Sequence, residues 1–335
     1  MANYGLSARV LHHLALSSAA MCEAQFDIEC AIEKPIKDCS GRHVFVSGLA
    51  RSGTTILMRS IFGTGDFATL TYRDMPFVMA PNLWSRLQSK SSRYVAAAER
   101  AHGDGIVVDA DSPEALEEVF WRVFLGDQYL NSSEGLLPHS IPADVIDSFR
   151  KYVALIVKKA DGTRYLSKNN NNILRIDGLF EAFPNAQVII PFRHPNSQAQ
   201  SLFKQHQMFS QNDDAFTHKY MAWLAHHEFG RGHRPFAFPE VNLAGQDPST
   251  LPYWMTLWGG VYGNLISKYG DDKRVRFVCY ETLSTDARAW NTLVEWLSLP
   301  VESASEFRAG AGTHPDDDVP TKLMQLFARL KEAGN

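Results

Sequence analysis

Four cysteines in 335 residues, Cys22, Cys30, Cys39 and Cys279, form no Cys-x-x-Cys pair. A chain of this size needs no disulfide framework, so reduced thiols in a cytoplasm are the expectation. Long apolar runs are missing too. The best, YVALIV (152–157) and VII (188–190), fall far short of the ~20 residues of a membrane span, so no span is expected. No internal repeat or low-complexity tract is visible, which argues against solenoids and arrays. Neither sign of charge is in large excess: 33 basic and 37 acidic residues give a formal charge of -4. That balance argues against general nucleic-acid binding while leaving room for a local basic pocket. Core material is plentiful, with 45% hydrophobic and 11% aromatic residues, enough for an enzyme-sized globular protein.

The N-terminal ARVLHHLALSSAAM (8–21) has the small residues of a signal peptide, but two histidines break its apolar part. Val10, Leu14 and Met21 fall at helical spacing and imply a packing helix. Residues 1–41 are therefore read as a helical extension, and 42–335 as one α/β domain. The sequon at Asn131 reads as a turn. Buried-strand candidates are VFVS (44–47), ATLTY (68–72), YLSK (165–168), QVIIPF (187–192) and VRFVCY (275–280). Helical patterns lie between them: SPEALEEVFWRVF (112–124), with Ser112 as N-cap and Pro113 in the first turn; VIDSFRKYVALIVKKA (145–160); and ILRIDGLFEAF (173–183). Alternating strands and helices imply a three-layer α/β fold, its central parallel sheet flanked by helices. Residues 229–256, rich in Gly, Pro and aromatics, read as a long loop or lid. A short helix over 321–332 closes the chain.

The stretch GLARSGTT (48–55) follows VFVS and precedes a helical ILMRSIF. Its Gly-x-x-x-x-Gly skeleton is that of a loop that cradles phosphates, but Thr54 stands where ATP-using enzymes place lysine. Gly48 and Gly53 let backbone N–H groups approach an anion, Ser52, Thr54 and Thr55 add hydroxyls, and Arg51 supplies charge. The second constellation is PFRHPNSQAQSLF (191–203), where Arg193 leaves a strand end and Ser201 follows two turns into the next helix. Together they suggest a second anionic group on the same ligand.

These residues carry a resemblance. SGLARSGTTIL, the lysine of YLSK and FRHPNSQAQSL resemble the sulfotransferase superfamily, which uses 3′-phosphoadenosine 5′-phosphosulfate; CYETL (279–283) and LVEWLSLP (293–300) resemble its later elements. The likeness covers roughly 42–300 and is loose over 74–160. It implies that Arg51, Ser52, Gly53, Thr54 and Thr55 grip the 5′-phosphosulfate, and that Arg193, with Ser201 eight residues later, grips the 3′-phosphate. By the same likeness Tyr280 and Arg308, the latter in FRAGAGTH (307–314), are nucleotide-side contacts. Lys168 resembles the catalytic lysine of the cytosolic small-molecule branch. No metal is required if protein cations hold the leaving phosphate.

The departures bear on the chemistry. Ala50 replaces the usual proline, and Asn170 stands two residues after Lys168, where the cytosolic branch has its histidine base. The glutamate base of the tyrosylprotein and carbohydrate branches has no counterpart in TLTYRDMPF (69–77). Asp74 is the first candidate base, against a solvated turn aspartate. Glu117 and Glu118 are the next, against a solvated helix face, then His226 and His227, against packing or cap histidines. His226-His227-Glu228 lacks metal-ligand spacing. Asn169 to Asn172 offer amides for a polyol or a plain turn. The reading is sulfonyl transfer to a hydroxyl or amine of a small-molecule or carbohydrate acceptor. The rivals are an ATP-dependent small-molecule kinase and a non-catalytic nucleotide-binding protein.

Overall fold

A computed structural model describes residues 6–34, 41–88, 98–99, 107–108, 111–130, 132–211, 214–300, 307 and 319–334. The chain runs α1 (Leu6–Leu16), α2 (Ala19–Glu33), β1 (Val44–Val46), α3 (Thr54–Phe62), β2 (Phe67–Ala68), α4 (Pro81–Leu87), β3 (Ala98–Glu99), β4 (Val107–Val108), α5 (Glu118–Tyr129) and α6 (Ala143–Lys159). It continues with β5 (Arg164–Lys168), α7 (Ile176–Ala182), β6 (Gln187–Phe192), α8 (Pro195–Ser210), α9 (Ala215–Trp223), α10 (Leu251–Tyr269), β7 (Val275–Cys279), α11 (Tyr280–Thr285), α12 (Ala287–Trp296) and α13 (Thr321–Ala333). Five strands form a parallel sheet in the order β2-β5-β1-β6-β7.

Strand alternation builds the two outer layers. Val44 and Val46 of β1, with Leu166 and Ile189, face Leu57, Met58 and Ile61 of α3 and Trp290 and Leu293 of α12. Phe45, one residue out of phase, joins Tyr165, Val188 and Ile190 against Phe149, Phe183 and Trp258 on the other face. The α/β expectation therefore holds. The carboxyl ends of β5, β1, β6 and β7 lie side by side, which delivers Lys168, the 48–55 loop, Arg193 and Tyr280 to one edge.

Several local expectations are corrected. The ATLTY strand shrinks to Phe67–Ala68, after which Tyr72–Asp74 form a 3-10 turn. Helix α5 begins at Glu118, not at Ser112, because Pro113 is held extended in a bridge to Thr71. Val10, Leu14 and Met21 are exposed; Ala15, Leu16, Cys22 and Phe26 are the buried residues of the N-terminal helices. Phe236, Phe238, Tyr253, Trp254 and Trp258 are buried, so these aromatics are core and not a solvent-facing lid. Asn131, Cys39 and Arg308 lie outside the described residues. No helix among the described residues is long and apolar enough to cross a membrane.

The N-terminal helices are tied to the domain by buried carboxylates. Glu29 is fully buried and accepts the N–H groups of Asn82 at 2.8 Å and Leu83 at 3.0 Å, satisfying the otherwise uncapped first turn of α4. Glu33 pairs with Arg86 at 2.6 Å and Lys158 at 3.2 Å. Glu29→Ala strands those donors and is expected to cost about 1–3 kcal/mol in urea unfolding. Glu23→Ala, on the exposed side of the same helix, is expected to be near neutral; equal effects would contradict the docking role.

Candidate active site

The loop leaves β1 at Ser47, whose N–H donates to Ile189 O at 2.9 Å. A side chain at Gly48 would put a Cβ 3.2 Å from the Pro191 carbonyl, a tight contact that glycine avoids where the loop starts beside β6. Arg51 (φ 66) and Gly53 (φ 92) are both left-handed, which curls the backbone as anion-binding nests require. The Tyr280 ring presses on Gly53, where a Cβ would come within 2.4 Å of it. Ser52 Oγ donates to Leu49 O at 2.8 Å, and Thr54 and Thr55 open α3, where helical N–H groups lack intrahelical partners.

Arg193 stands where β6 ends, and Pro195 starts α8 at the first helical position. Ser201 of α8 accepts from Arg51 Nε at 3.0 Å, so loop and helix are in contact. Arg193 Nε is buried without a hydrogen bond; Glu281 Oε1 lies 3.5 Å away, beyond good hydrogen-bond length. Its guanidinium carbon sits 5.4 Å from the centre of the Tyr280 ring. Arg51, Gly53, Arg193, Ser201 and Tyr280 therefore form one corner.

Gln198, fully buried, fixes that corner. Its Nε2 donates to Ala50 O at 3.1 Å, and its Oε1 accepts Arg193 N–H at 3.1 Å and the Trp258 indole N–H at 3.1 Å. One amide thus sets both the loop and the residue after β6. On the next strand, Lys168 is buried in register with Val46.

With this geometry in view, the comparisons decide the family. Residues 43–239 match the sequence model of the sulfotransferase family. The chain belongs to the sulfotransferase family. A sulfotransferase from Mycobacterium avium is similar in fold, with 14% identity, 99% of this chain and 78% of that one covered, and a TM-score of 0.51. A sulfotransferase from Mycobacterium tuberculosis H37Rv has 13% identity, covers 94% of this chain and 83% of its own, and has a TM-score of 0.49. No curated protein matches the sequence.

In this sulfotransferase the first-ranked base is otherwise engaged. Asp74 accepts the Thr71 N–H at 2.8 Å, and its two oxygens take Lys159 Nζ at 2.6 and 2.7 Å. Lys159 ends the helix that feeds β5, so Asp74 is drawn toward the edge of the sheet opposite the loop. Glu117 and Glu118 are buried, not on a solvated face. Glu118 forms a two-pronged pair with Arg175, both bonds at 3.0 Å, and accepts from Tyr129 and Asn169. Burial raises its pKa, but Arg175 and these donors outweigh burial and hold the carboxyl below its ordinary value. Glu117 accepts from Trp121 at 2.8 Å, Tyr165 at 3.0 Å and Asn172 at 2.8 Å. The asparagine run is likewise internal: its amides serve Glu117, Glu118, Glu228 and Ala225 O.

His227 Nδ1 bonds the Gly232 carbonyl at 3.0 Å, and burial lowers its pKa. His226 Nδ1 lies 3.6 Å from Glu228 Oε2. Glu228, His233 and Arg234 line a narrow cleft with Leu49 and Ala50 of the loop, Leu202, Pro235, Phe236, Trp254 and Leu257. Among the described residues no group of three or more His, Cys, Asp or Glu is gathered as a metal site would need. Gln198 and Arg175 were not singled out from the sequence, and Glu228 was named there only within the cluster His226-His227-Glu228. For Gln198 a signal existed: it shares a helix face with Ser201 three residues on. Replacing Glu118 by Gln leaves Arg175 buried without its counter-charge, and about 3–5 kcal/mol of stability should be lost in urea unfolding. Unchanged stability with lost turnover would instead return Glu118 to the list of bases.

Proposed function

We propose that the chain transfers a sulfonyl group from 3′-phosphoadenosine 5′-phosphosulfate to a hydroxyl on a small acceptor with an apolar body. The observation that carries the donor is the contact of Arg51 with Ser201 beside an Arg193 Nε that is buried and lacks a hydrogen bond. A ligand with anionic groups at both ends satisfies that corner, whereas a single phosphate satisfies half of it. In this reading Arg51, Ser52, Gly53, Thr54 and Thr55 hold the 5′ group, and Arg193 and Ser201 hold the 3′-phosphate. Tyr280 orders the Arg193 side of the pocket, and Arg308 is assigned to the nucleotide on the family likeness alone. Lys168 and Arg51 offset charge on the transferring group and the leaving phosphate.

The acceptor reading follows from the cleft beside the loop, whose walls are mainly apolar with Glu228, His233 and Arg234 as the polar members. A carbohydrate is less favoured, because the asparagine amides that would bind it are used internally. The kinase reading is disfavoured by Thr54 in the place of the phosphate-loop lysine.

Calorimetric titration of the metal-stripped protein tests the donor. 3′-Phosphoadenosine 5′-phosphate is expected to bind more tightly than ATP with Mg²⁺. Arg193→Ala is expected to weaken it about 10- to 100-fold, the equivalent of ~1.5–3 kcal/mol for a hydrogen bond to a charged group. Arg51→Ala is expected to lower turnover on the order of 10²–10³-fold. Preference for ATP, or an unchanged Arg193→Ala, would contradict the assignment.

A further inference from the structure

A sulfonyl acceptor hydroxyl must lose a proton, and the candidates Asp74, Glu117 and Glu118 are bound up in the fold. Glu228, on the connection between α9 and α10, differs from them in two respects. It faces the cleft beside Leu49 and Ala50 of the phosphate loop, with a side chain only 10% exposed. One of its oxygens also has no hydrogen bond: Oε1 accepts Asn170 Nδ2 at 2.9 Å, whereas the buried Oε2 faces only the His226 ring, with Nδ1 3.6 Å away.

Its position relative to the loop is set by a short chain of bonds. Ser47, which opens the loop, donates its hydroxyl to Asn170 O at 3.2 Å, and Asn170 in turn holds Glu228. Asn170 is the residue two after Lys168, where the resembling cytosolic branch carries a histidine. Here that position cannot titrate. It presents an amide that anchors a carboxylate from a different segment.

We propose that Glu228 is the general base of the transfer, its Oε2 accepting the proton of an acceptor hydroxyl lodged in the apolar cleft. The proposal rests on the donor reading above. The acceptor oxygen forms a bond to sulfur while the bond from sulfur to the 5′-phosphate oxygen breaks; that electron pair leaves on the phosphate, and the proton passes to Glu228. Several charged or titratable groups face Glu228: Lys168 from β5, and His226, His227, His233 and Arg234 from its own connection. Burial raises its pKa, but His226, Lys168 and Asn170 outweigh burial and keep the carboxyl below its ordinary range. A weak base suffices in a loose transition state. Little bonding to the acceptor oxygen has developed before that oxygen, attached to sulfur, becomes strongly acidic and gives up its proton downhill.

The test uses two phenols with 3′-phosphoadenosine 5′-phosphosulfate at slightly alkaline pH: 2-naphthol, which stays protonated, and 4-nitrophenol, which is largely ionised and needs no base. Glu228→Gln keeps an oxygen for the Asn170 amide. It is expected to lower kcat for 2-naphthol by about 10²–10⁴-fold, the usual contribution of a general base, with a much smaller loss for 4-nitrophenol. Equal losses for both phenols, with or without a fall in Tm, would mean a structural role and overturn the proposal; so would no loss. If neither phenol is sulfonated by wild-type protein that still binds 3′-phosphoadenosine 5′-phosphate, the placement of the acceptor in the cleft is overturned. If that bisphosphate does not bind at all, it is the donor reading that fails, and the base assignment with it.

Discussion

The buried amide of Gln198 reaches Ala50, 148 residues earlier in the chain, and ties the loop to the end of β6. It donates to the carbonyl of Ala50 in the loop and accepts from the N–H of Arg193 at the end of β6, with Trp258 and Tyr262 closing its other sides. A fully buried amide with unmet donors or acceptors is costly, so this side chain is stable in one arrangement and enforces it on both segments. The left-handed Arg51, whose guanidinium meets Ser201, directly follows the residue so held. A proline at position 50, as in the resembling family, would stiffen the loop covalently; here a hydrogen bond from another helix holds the same residue.

Buried carboxylates divide into two kinds in this molecule. Glu29, Glu117 and Glu118 are saturated by backbone N–H groups, amides, phenols or a guanidinium. Such groups organise the fold, because removing one partner leaves a buried charge or donor uncompensated. Glu228 is less deeply buried and has an oxygen, Oε2, with no hydrogen bond and only His226 facing it at 3.6 Å. Burial alone therefore does not separate the two kinds; whether every carboxylate oxygen is hydrogen-bonded does.

The 48–55 loop and the PFRHPNS segment were legible because their signals are local. A short apolar run followed by glycine, hydroxyl residues and a helical pattern has few other readings, and β1, β6 and β7 came with it. Other features depended on distant partners. The exposure of Val10 and Leu14 follows from which side of α1 meets the domain, and an amphipathic pattern with small residues such as Ala15 does not rank its faces. Glu118 read as solvated because Arg175 lies 57 residues further on. Strand β2 was overestimated because Thr69 to Tyr72 are β-prone, while the capping box of Thr71 and Asp74 bends the chain out of the sheet. Helix α5 started late for a similar reason, with Pro113 committed to Thr71.

The proposed donor is a single ligand that spans the loop and the end of β6. Phosphorus NMR of 3′-phosphoadenosine 5′-phosphate titrated with the protein measures this directly, since the two phosphates give separate resonances. Both resonances should shift and broaden together at the same protein concentration, and Arg193→Ala should diminish the change at the 3′-phosphate more than at the 5′-phosphate. A response confined to one phosphate, or one that Arg193→Ala reduces equally at both, would contradict a pocket divided between the two segments.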